Sequence, residues 1–219
     1  MKGIIFIAPP TAGKGTQAEL IEKKYKFLHI STGDLLREES KKETLEALYI
    51  KEKLESGELV DDDLVLELLE EKLETITENF ILDGFPRNIK QATALDKILD
   101  KLNMDNLFVI YIDIDEETAK QRILGRLQCP KCKKIYNNMA DELKPIKDGI
   151  CDNCGEVLIK RKDDNEQTIK DRFNCYLEQT EPLINYYKNK NLLYHVDGKQ
   201  DKIKVFHNIE KILGSENND

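Results

Sequence analysis

The stretch Lys2-Gly3-Ile4-Ile5-Phe6-Ile7-Ala8-Pro9-Pro10-Thr11-Ala12-Gly13-Lys14-Gly15-Thr16-Gln17 decides the fold. Its apolar part, Gly3 to Ile7, predicts a short buried strand. Ala8 to Thr16 predicts a tight loop, and a helical pattern begins at Gln17. A strand, a tight loop and a helix start form the context of a phosphate-binding loop. Successive backbone N–H groups of such a loop curl into an anion-sized concavity, and the following helix aims its positive dipole end at the same spot. Thr11, Ala12, Gly13, Lys14, Gly15 and Thr16 are therefore candidate phosphate contacts. Lys14 would place a mobile charge over the β- and γ-phosphates, and Thr16 a hydroxyl near Mg²⁺. Ala8 and Thr11 stand where such loops commonly carry glycine, and residues with a Cβ avoid positive φ. An ordinary strand–turn–helix with a chance Gly-Lys-Gly-Thr is the bland alternative.

Four further segments, Phe27–Ile30, Phe80–Leu82, Leu107–Ile112 and Leu192–Val196, are short and apolar on both faces, as parallel strands covered by helices are. Helical patterns alternate with them. The predicted fold is α/β, a doubly wound five-stranded parallel sheet with the phosphate loop, in which ligands sit beyond the carboxyl ends of the strands.

The 219 residues suffice for one sizeable core with small inserted lobes. A formal net charge of −8 argues against a general nucleic-acid binder. No apolar run reaches the roughly 20 residues that span a bilayer, and the first is too short for a signal peptide. The cytoplasm is the expected location, with no membrane partner. Of 34 basic residues only six are arginine: Arg37, Arg87, Arg122, Arg126, Arg161 and Arg172. The planar guanidinium fork grips phosphate bidentately, so these positions draw notice, with codon bias as the plain alternative.

The loops after the strands carry the rest. Ser31-Thr32-Gly33-Asp34-Leu35-Leu36-Arg37 follows the second strand, with Asp34 expected as the N-cap of a helix and Arg37 one turn in. Residues 31–60 read as a small helical lobe, with Gly57 as a helix stop. Asp83-Gly84-Phe85-Pro86-Arg87 follows the third strand. Asp83, an acid ending an apolar strand, resembles the group that holds Mg²⁺ waters, a helix cap being the alternative. Gln91 falls on the first turn of the next helix. Asp115 is read as the cap of a helix in which Arg122 and Arg126, four apart, share a face. Cys129-Pro130-Lys131-Cys132 and Cys151-Asp152-Asn153-Cys154 have the spacing of a four-thiolate tetrahedral zinc site, with iron or bare thiols as alternatives. Four protein thiolates leave no open coordination position, so the role is structural. Cys175 is expected to be a buried filler. His29, His195 and His207 fall on no motif.

Ala8–Thr16, Ser31–Arg37, Asp83–Arg87 with Gln91, and Arg161-Lys162-Asp163-Asp164, in this order, resemble adenylate kinase, in the long form with a metal-bearing lid. The resemblance covers essentially the whole chain. It implies Mg²⁺-dependent transfer of the γ-phosphate of ATP to AMP, giving two ADP, by a monomer. It implies a core of 1–30, 61–124 and 165–219, an AMP-binding lobe of 31–60 and a zinc lid of 125–164. It assigns Thr32, Arg37, Gly84, Phe85, Pro86, Arg87 and Gln91 to AMP, with contacts from Glu58, Leu59 and Val60. Arg122, Arg126, Tyr136 and Lys199 join the phosphate loop on ATP. Arg161 and Arg172 sit on the phosphates undergoing transfer, so that Lys14, Arg87, Arg122, Arg126, Arg161 and Arg172 form the catalytic set. Asp163 and Asp164 serve lid closure. Where the family often carries a further arginine after Arg126, this chain has Leu127. A kinase for another nucleoside monophosphate, a zinc-ribbon protein that merely binds ATP, and a degraded homologue are the competing expectations.

Overall fold

The computed structural model describes residues 1–56, 60–132, 134–160 and 166–214. Strands β1 (Lys2–Ile7), β2 (Leu28–Ser31), β3 (Phe80–Asp83), β4 (Asn106–Asp113) and β7 (Leu193–Asp197) form one sheet in the order β2-β3-β1-β4-β7. It is the five-stranded parallel sheet the sequence predicts, flanked by helices. Gly3, Ile4 and Ile5 register with Phe80, Ile81 and Leu82, and Leu28 through Ser31 register with Phe80 through Asp83. The polar strand ends Ser31 and Asp83 are thus ladder partners, which is why both strands run one residue past their apolar runs. With β1 central, successive connections run to one side of it and then to the other. The switch between these directions falls at its carboxyl end, where open α/β sheets take their ligands. That end leads directly into Ala8.

The chain divides into two compact units. The first comprises Met1–Ile7, Ala18–Ile110 and Gln179–Tyr194. Its core is aliphatic: Ile4, Ile5, Ile81 and Leu82 are fully buried, as are Leu69 and Leu73 of α4 (Asp62–Glu74). Helix α5 (Ile89–Lys101) buries Ala92, Leu95, Ile98 and Leu99 at three- and four-residue spacing, the stripe of a helix laid on a core. Each such leucine or isoleucine burial contributes about 1.5–3 kcal/mol, and the methyl of Ala92 less. The region expected as a helical lobe contains α2 (Thr32–Glu39) and α3 (Leu45–Ser56). Gly57, read as the stop, lies outside the described residues, as do Glu58 and Leu59.

The second unit comprises Ala8–Gln17, Tyr111–Glu178 and His195–Asp219. It carries α6 (Glu116–Leu124), a two-stranded antiparallel sheet of β5 (Arg126–Gln128) and β6 (Ile135–Asn137), α7 (Glu166–Cys175) and α9 (Lys202–Gly214). Helix α7 buries Ile169 and Phe173, and Tyr176 continues the stripe. Cys175 lies off that stripe and is exposed, which corrects its expected burial. No helix among the described residues is long and apolar enough to cross a membrane.

Candidate nucleotide site and cysteine centre

The phosphate loop leaves β1 at Ala8, and α1 (Lys14–Tyr25) starts inside it at Lys14, three residues before the apolar pattern indicates. Ala12 N donates to Pro9 O at 3.4 Å and Gln17 N to Gly13 O at 3.0 Å. Ala8 is not among the residues with positive φ, so its Cβ costs nothing there. Thr11 does adopt φ 64°, a conformation that costs a β-branched residue on the order of 1–2 kcal/mol. Its hydroxyl compensates by donating to Ala119 O at 3.1 Å. Thr11→Val, which keeps the strain and loses that bond, should lower stability by about 1 kcal/mol in urea denaturation. Thr11→Gly exchanges bond for relief and should change it much less. A Val variant as stable as the parent would refute the compensation.

Lys14 Nζ donates back to Ala8 O at 3.1 Å, curling over the loop. Arg122 is half-buried. It donates through one terminal nitrogen to Ala12 O at 3.4 Å and through the other to Gly198 O at 2.7 Å. Burial pulls its pKa down, partly offset by the charges of Glu142 and Asp197. Asp115 caps α6 as expected, accepting from Thr118 N at 2.8 Å, and also pairs with Lys199 Nζ at 2.6 Å. The sequence reading of Arg122 and Arg126 on one helical face needs correction. Helix α6 stops at Leu124 with Gly125 as its C-cap, and Arg126 opens β5. A Cβ on Gly125 would come within 2.1 Å of Asn137 Oδ1, and Asn137 in turn donates to Arg122 O at 2.9 Å, so the chain must turn there. Leu127 packs on the core of the cysteine lobe. Arg172 is exposed on α7, and Arg161, Lys162, Asp163 and Asp164 lie outside the described residues.

In the first unit, Ser31 rather than Asp34 caps α2. Its hydroxyl accepts from Asp34 N at 3.4 Å, because the helix starts at Thr32 and leaves Asp34 inside the first turn. From there the Asp34 carboxylate accepts from Arg37 Nε at 3.1 Å and from a terminal nitrogen of the same guanidinium. Thr32 is buried, with its hydroxyl 3.5 Å from Asp83 O. Asp83 is half-buried, and its Oδ2 lies 3.4 Å from His29 Nε2 in an ion contact off the line of a good hydrogen bond. Asp83 raises the His29 pKa against the effect of burial. Sequence reasoning left His29 aside, although strand alternation puts it on the same face as Ser31, whose ladder partner is Asp83.

The Asp83–Arg87 turn is built from a glycine at φ 83° and a cis Phe85–Pro86 bond. A Cβ at Gly84 would also stand 3.1 Å from the Thr32 hydroxyl. Phe85 and Pro86 are buried, whereas Arg87 is exposed. Arg87 Nε donates to Gly84 O at 2.8 Å, its N–H to Gln91 Oε1 at 2.7 Å, and its carbonyl accepts from the Thr180 hydroxyl at 2.9 Å. Asn88 caps α5 and accepts from Gln91 N at 2.9 Å. Gln91 Nε2 donates to Asp62 Oδ1 at 2.5 Å. Thr32, Gly84, Arg87 and Gln91 thus belong to one bonded cluster, with Asp62 as a member the sequence did not indicate. Val60 is buried just before α4.

The four cysteines come together with all Sγ atoms within 4.8 Å of one another. Cys129 and Cys154 are 3.4 Å apart at sulfur, and Cys132 and Cys151 3.5 Å, far beyond a disulfide bond. Tetrahedral zinc with Zn–S near 2.3 Å asks for S···S separations of about 3.8 Å, so the set fits an ion once the two close pairs open by a few tenths of an ångström. Burial opposes ionisation of Cys151, but hydrogen bonding from the Tyr136 hydroxyl and the N–H groups of Asn153 and Cys154 outweighs it and lowers the thiol to about 6. The N–H of Glu156 favours the Cys154 thiolate, yet the neighbouring thiols and burial push it up to about 12. Four crowded sulfurs that cannot all ionise alone are the donor chemistry a divalent thiophilic ion satisfies. Tyr136, expected at ATP, is 2% exposed and lies in this lobe's core with Leu158. Its hydroxyl sits 3.4 Å from Cys151 Sγ and accepts from Asp152 N at 2.8 Å.

A parallel α/β sheet, a lysine-bearing phosphate loop at its switch point and a four-cysteine lobe define a nucleotide-binding protein of the phosphate-loop class with a cysteine cluster suited to a thiophilic metal. The family model described as adenylate kinase matches residues 6–192. An adenylate kinase of Clostridium tetani is 42% identical over 216 residues, covering 98% of this chain and 99% of its own. One from Fervidobacterium nodosum is 44% identical over 213 residues, covering 96% and 97%, and one from Archaeoglobus fulgidus 43% over 212 residues, with the same coverage. The chain belongs to the adenylate kinase family.

Proposed function

We propose that the chain catalyses reversible, Mg²⁺-dependent transfer of the γ-phosphate of ATP to AMP, giving two ADP, as a cytoplasmic monomer with neither nucleic acid nor membrane as partner. The observation that carries this reading is the Asp83–Arg87 turn. It holds Arg87 by its Nε and its main chain, and so presents a preorganised guanidinium. In this reading Thr11 to Thr16, Arg122, Arg126, Tyr136 and Lys199 serve ATP. Thr32, Arg37, Gly84 to Arg87 and Gln91 serve AMP, together with Glu58, Leu59 and Val60. Lys14, Arg87, Arg122, Arg126, Arg161 and Arg172 neutralise the phosphates in transfer.

The attacking AMP phosphate is already largely ionised at pH 7, its second pKa being about 6, so no strong general base is needed. The residues instead hold two mutually repelling polyanions in line and neutralise them. Asp83, a half-buried carboxylate at a strand end, is a hard oxygen donor of the kind Mg²⁺ takes through water, and Thr16 offers a hydroxyl. The ion, when bound, neutralises charge on the β- and γ-phosphates. Residues 31–60 and 125–164 are proposed to close over the substrates and exclude water, on a core of 1–30, 61–124 and 165–219. The four cysteines are proposed to bind Zn²⁺ structurally.

Coupled measurement of ADP formation from ATP with AMP, GMP, CMP or UMP tests this reading. Turnover with AMP well above the others is expected. Preference for another monophosphate would make the chain a related kinase, and no turnover with any acceptor would overturn the proposal.

A further inference from the structure

Gln91 is a buried amide, 6% exposed, held at both ends. Its Oε1 accepts from Arg87 N at 2.7 Å, and its Nε2 donates to Asp62 Oδ1 at 2.5 Å. The two bonds are mutually consistent in one orientation only. Turning the amide by a half-rotation would set its oxygen against a carboxylate and its NH₂ against a backbone N–H, losing both bonds and adding two repulsions. Arg87 N belongs to the irregular turn and Asp62 to the first turn of α4, so the partners come from elements far apart in sequence. The backbone partner is fixed by the turn, which leaves Asp62 as the one side chain among the described residues that sets the amide's direction. Asp62 also lines an open cleft of about 640 Å³ together with Val60 and Lys90.

We infer that Asp62 is a specificity-determining positioning residue: by fixing the orientation of the Gln91 amide it makes that amide select adenine over guanine in the acceptor nucleotide. The inference rests on the reading that Gln91 faces the acceptor base. A side-chain amide has two N–H donors and two acceptor lone pairs, and the bonds to Asp62 and Arg87 use one of each. One donor and one acceptor are left, pointing in set directions. Adenine presents a donor at its six-position amine and an acceptor at N1. Guanine presents the reverse, an acceptor at O6 and a donor at N1. A freely turning amide satisfies either edge, whereas a locked one satisfies a single order and leaves buried polar groups unpaired against the other.

The test uses the full chain with ATP as donor, AMP or GMP as acceptor, and kcat/KM for each. Asp62→Ala should narrow the AMP-to-GMP ratio about tenfold, the scale of one charge-assisted hydrogen bond. Asp62→Asn, whose side-chain oxygen still accepts from Gln91 Nε2, should hold the ratio within about threefold of the parent. If Asp62→Ala does not fold, Asp62→Ser, which suits a helix start but falls short of Nε2, is measured instead, with the same narrowing expected. A proportional fall in AMP and GMP rates with the ratio unmoved would mean that Asp62 only supports the fold, and would overturn the inference. Gln91→Leu separates the layers. If it collapses the ratio while Asp62→Ala does not, the lock alone is wrong. If it leaves the ratio intact, Gln91 does not read the base and the inference falls with that assignment. A parent chain that fails to phosphorylate AMP would sink the functional proposal itself.

Discussion

Exchanging Arg87 for lysine is expected to lower kcat for phosphoryl transfer to AMP by roughly 10²–10³-fold, the typical cost of removing one preorganised contact to a charge-bearing transition state. The reason lies in what lysine cannot copy. Arg87 is anchored through Nε to Gly84 O at 2.8 Å, which fixes the plane of the guanidinium and leaves its two terminal nitrogens to form the fork. Lysine has no equivalent of Nε, and its ammonium is a single point charge on a flexible stem. The charge is retained, so loss of turnover would isolate geometry from electrostatics. Because the side chain is exposed, unfolding free energy should move by no more than about 0.5 kcal/mol. Steady-state ADP formation at saturating AMP, beside a denaturation curve, checks both halves. Unchanged turnover in Arg87→Lys would refute the argument from the fork.

Removing the metal from the cysteine centre is expected to have the second large effect. The lobe's core consists of Cys129, Tyr136, Cys151 and Leu158, with Leu127, Cys132 and Cys154 packed against it. Four of these seven are the proposed metal ligands, so a bound ion and the core would be the same object. A structural zinc supplies on the order of 10 kcal/mol of folding free energy, more than a handful of apolar side chains can replace. Chelation, or Cys151→Ser, should therefore open residues 125–164 to proteolysis while the five-stranded sheet stays folded. One equivalent of zinc should be released per chain. Unchanged proteolysis of this segment after complete metal removal would count against the proposal.

Much of the fold was legible because the strands are apolar runs bounded by loops with chemical signatures. What was misplaced was decided by contacts the chain makes with itself at a distance. Arg126 continues a plausible helical pattern, but Gly125 caps α6 before it and Arg126 pairs with Asn137 in the small sheet. Asp34 is as good a cap as Ser31 in isolation, but ladder pairing of Ser31 with Asp83 fixes where β2 stops and the helix begins. Cys175 was misjudged on exposure, which depends on helical phase. The motif residues Thr32, Arg87 and Gln91 were singled out by the resemblance to adenylate kinase, whereas their neighbours His29 and Asp62 carry no local mark. His29 meets Asp83 from the neighbouring strand, and Asp62 lies 29 residues before Gln91.

The bonds that pin the phosphate loop share one habit. Thr11, Lys14, Gln17 and Arg122 donate from their side chains to the main-chain carbonyls of Ala119, Ala8, Lys202, and Ala12 and Gly198. A carbonyl is present whatever the residue. Over evolutionary time position 202, which is only half-buried, is free to drift in side chain without severing its tie, whereas Ala119 is fully buried and is held by its packing, and a change at any of the four donors cuts a tie outright. Libraries that diversify this chain should therefore yield survivors unevenly, richer at position 202 than at the four donors, although one bond joins it to Gln17.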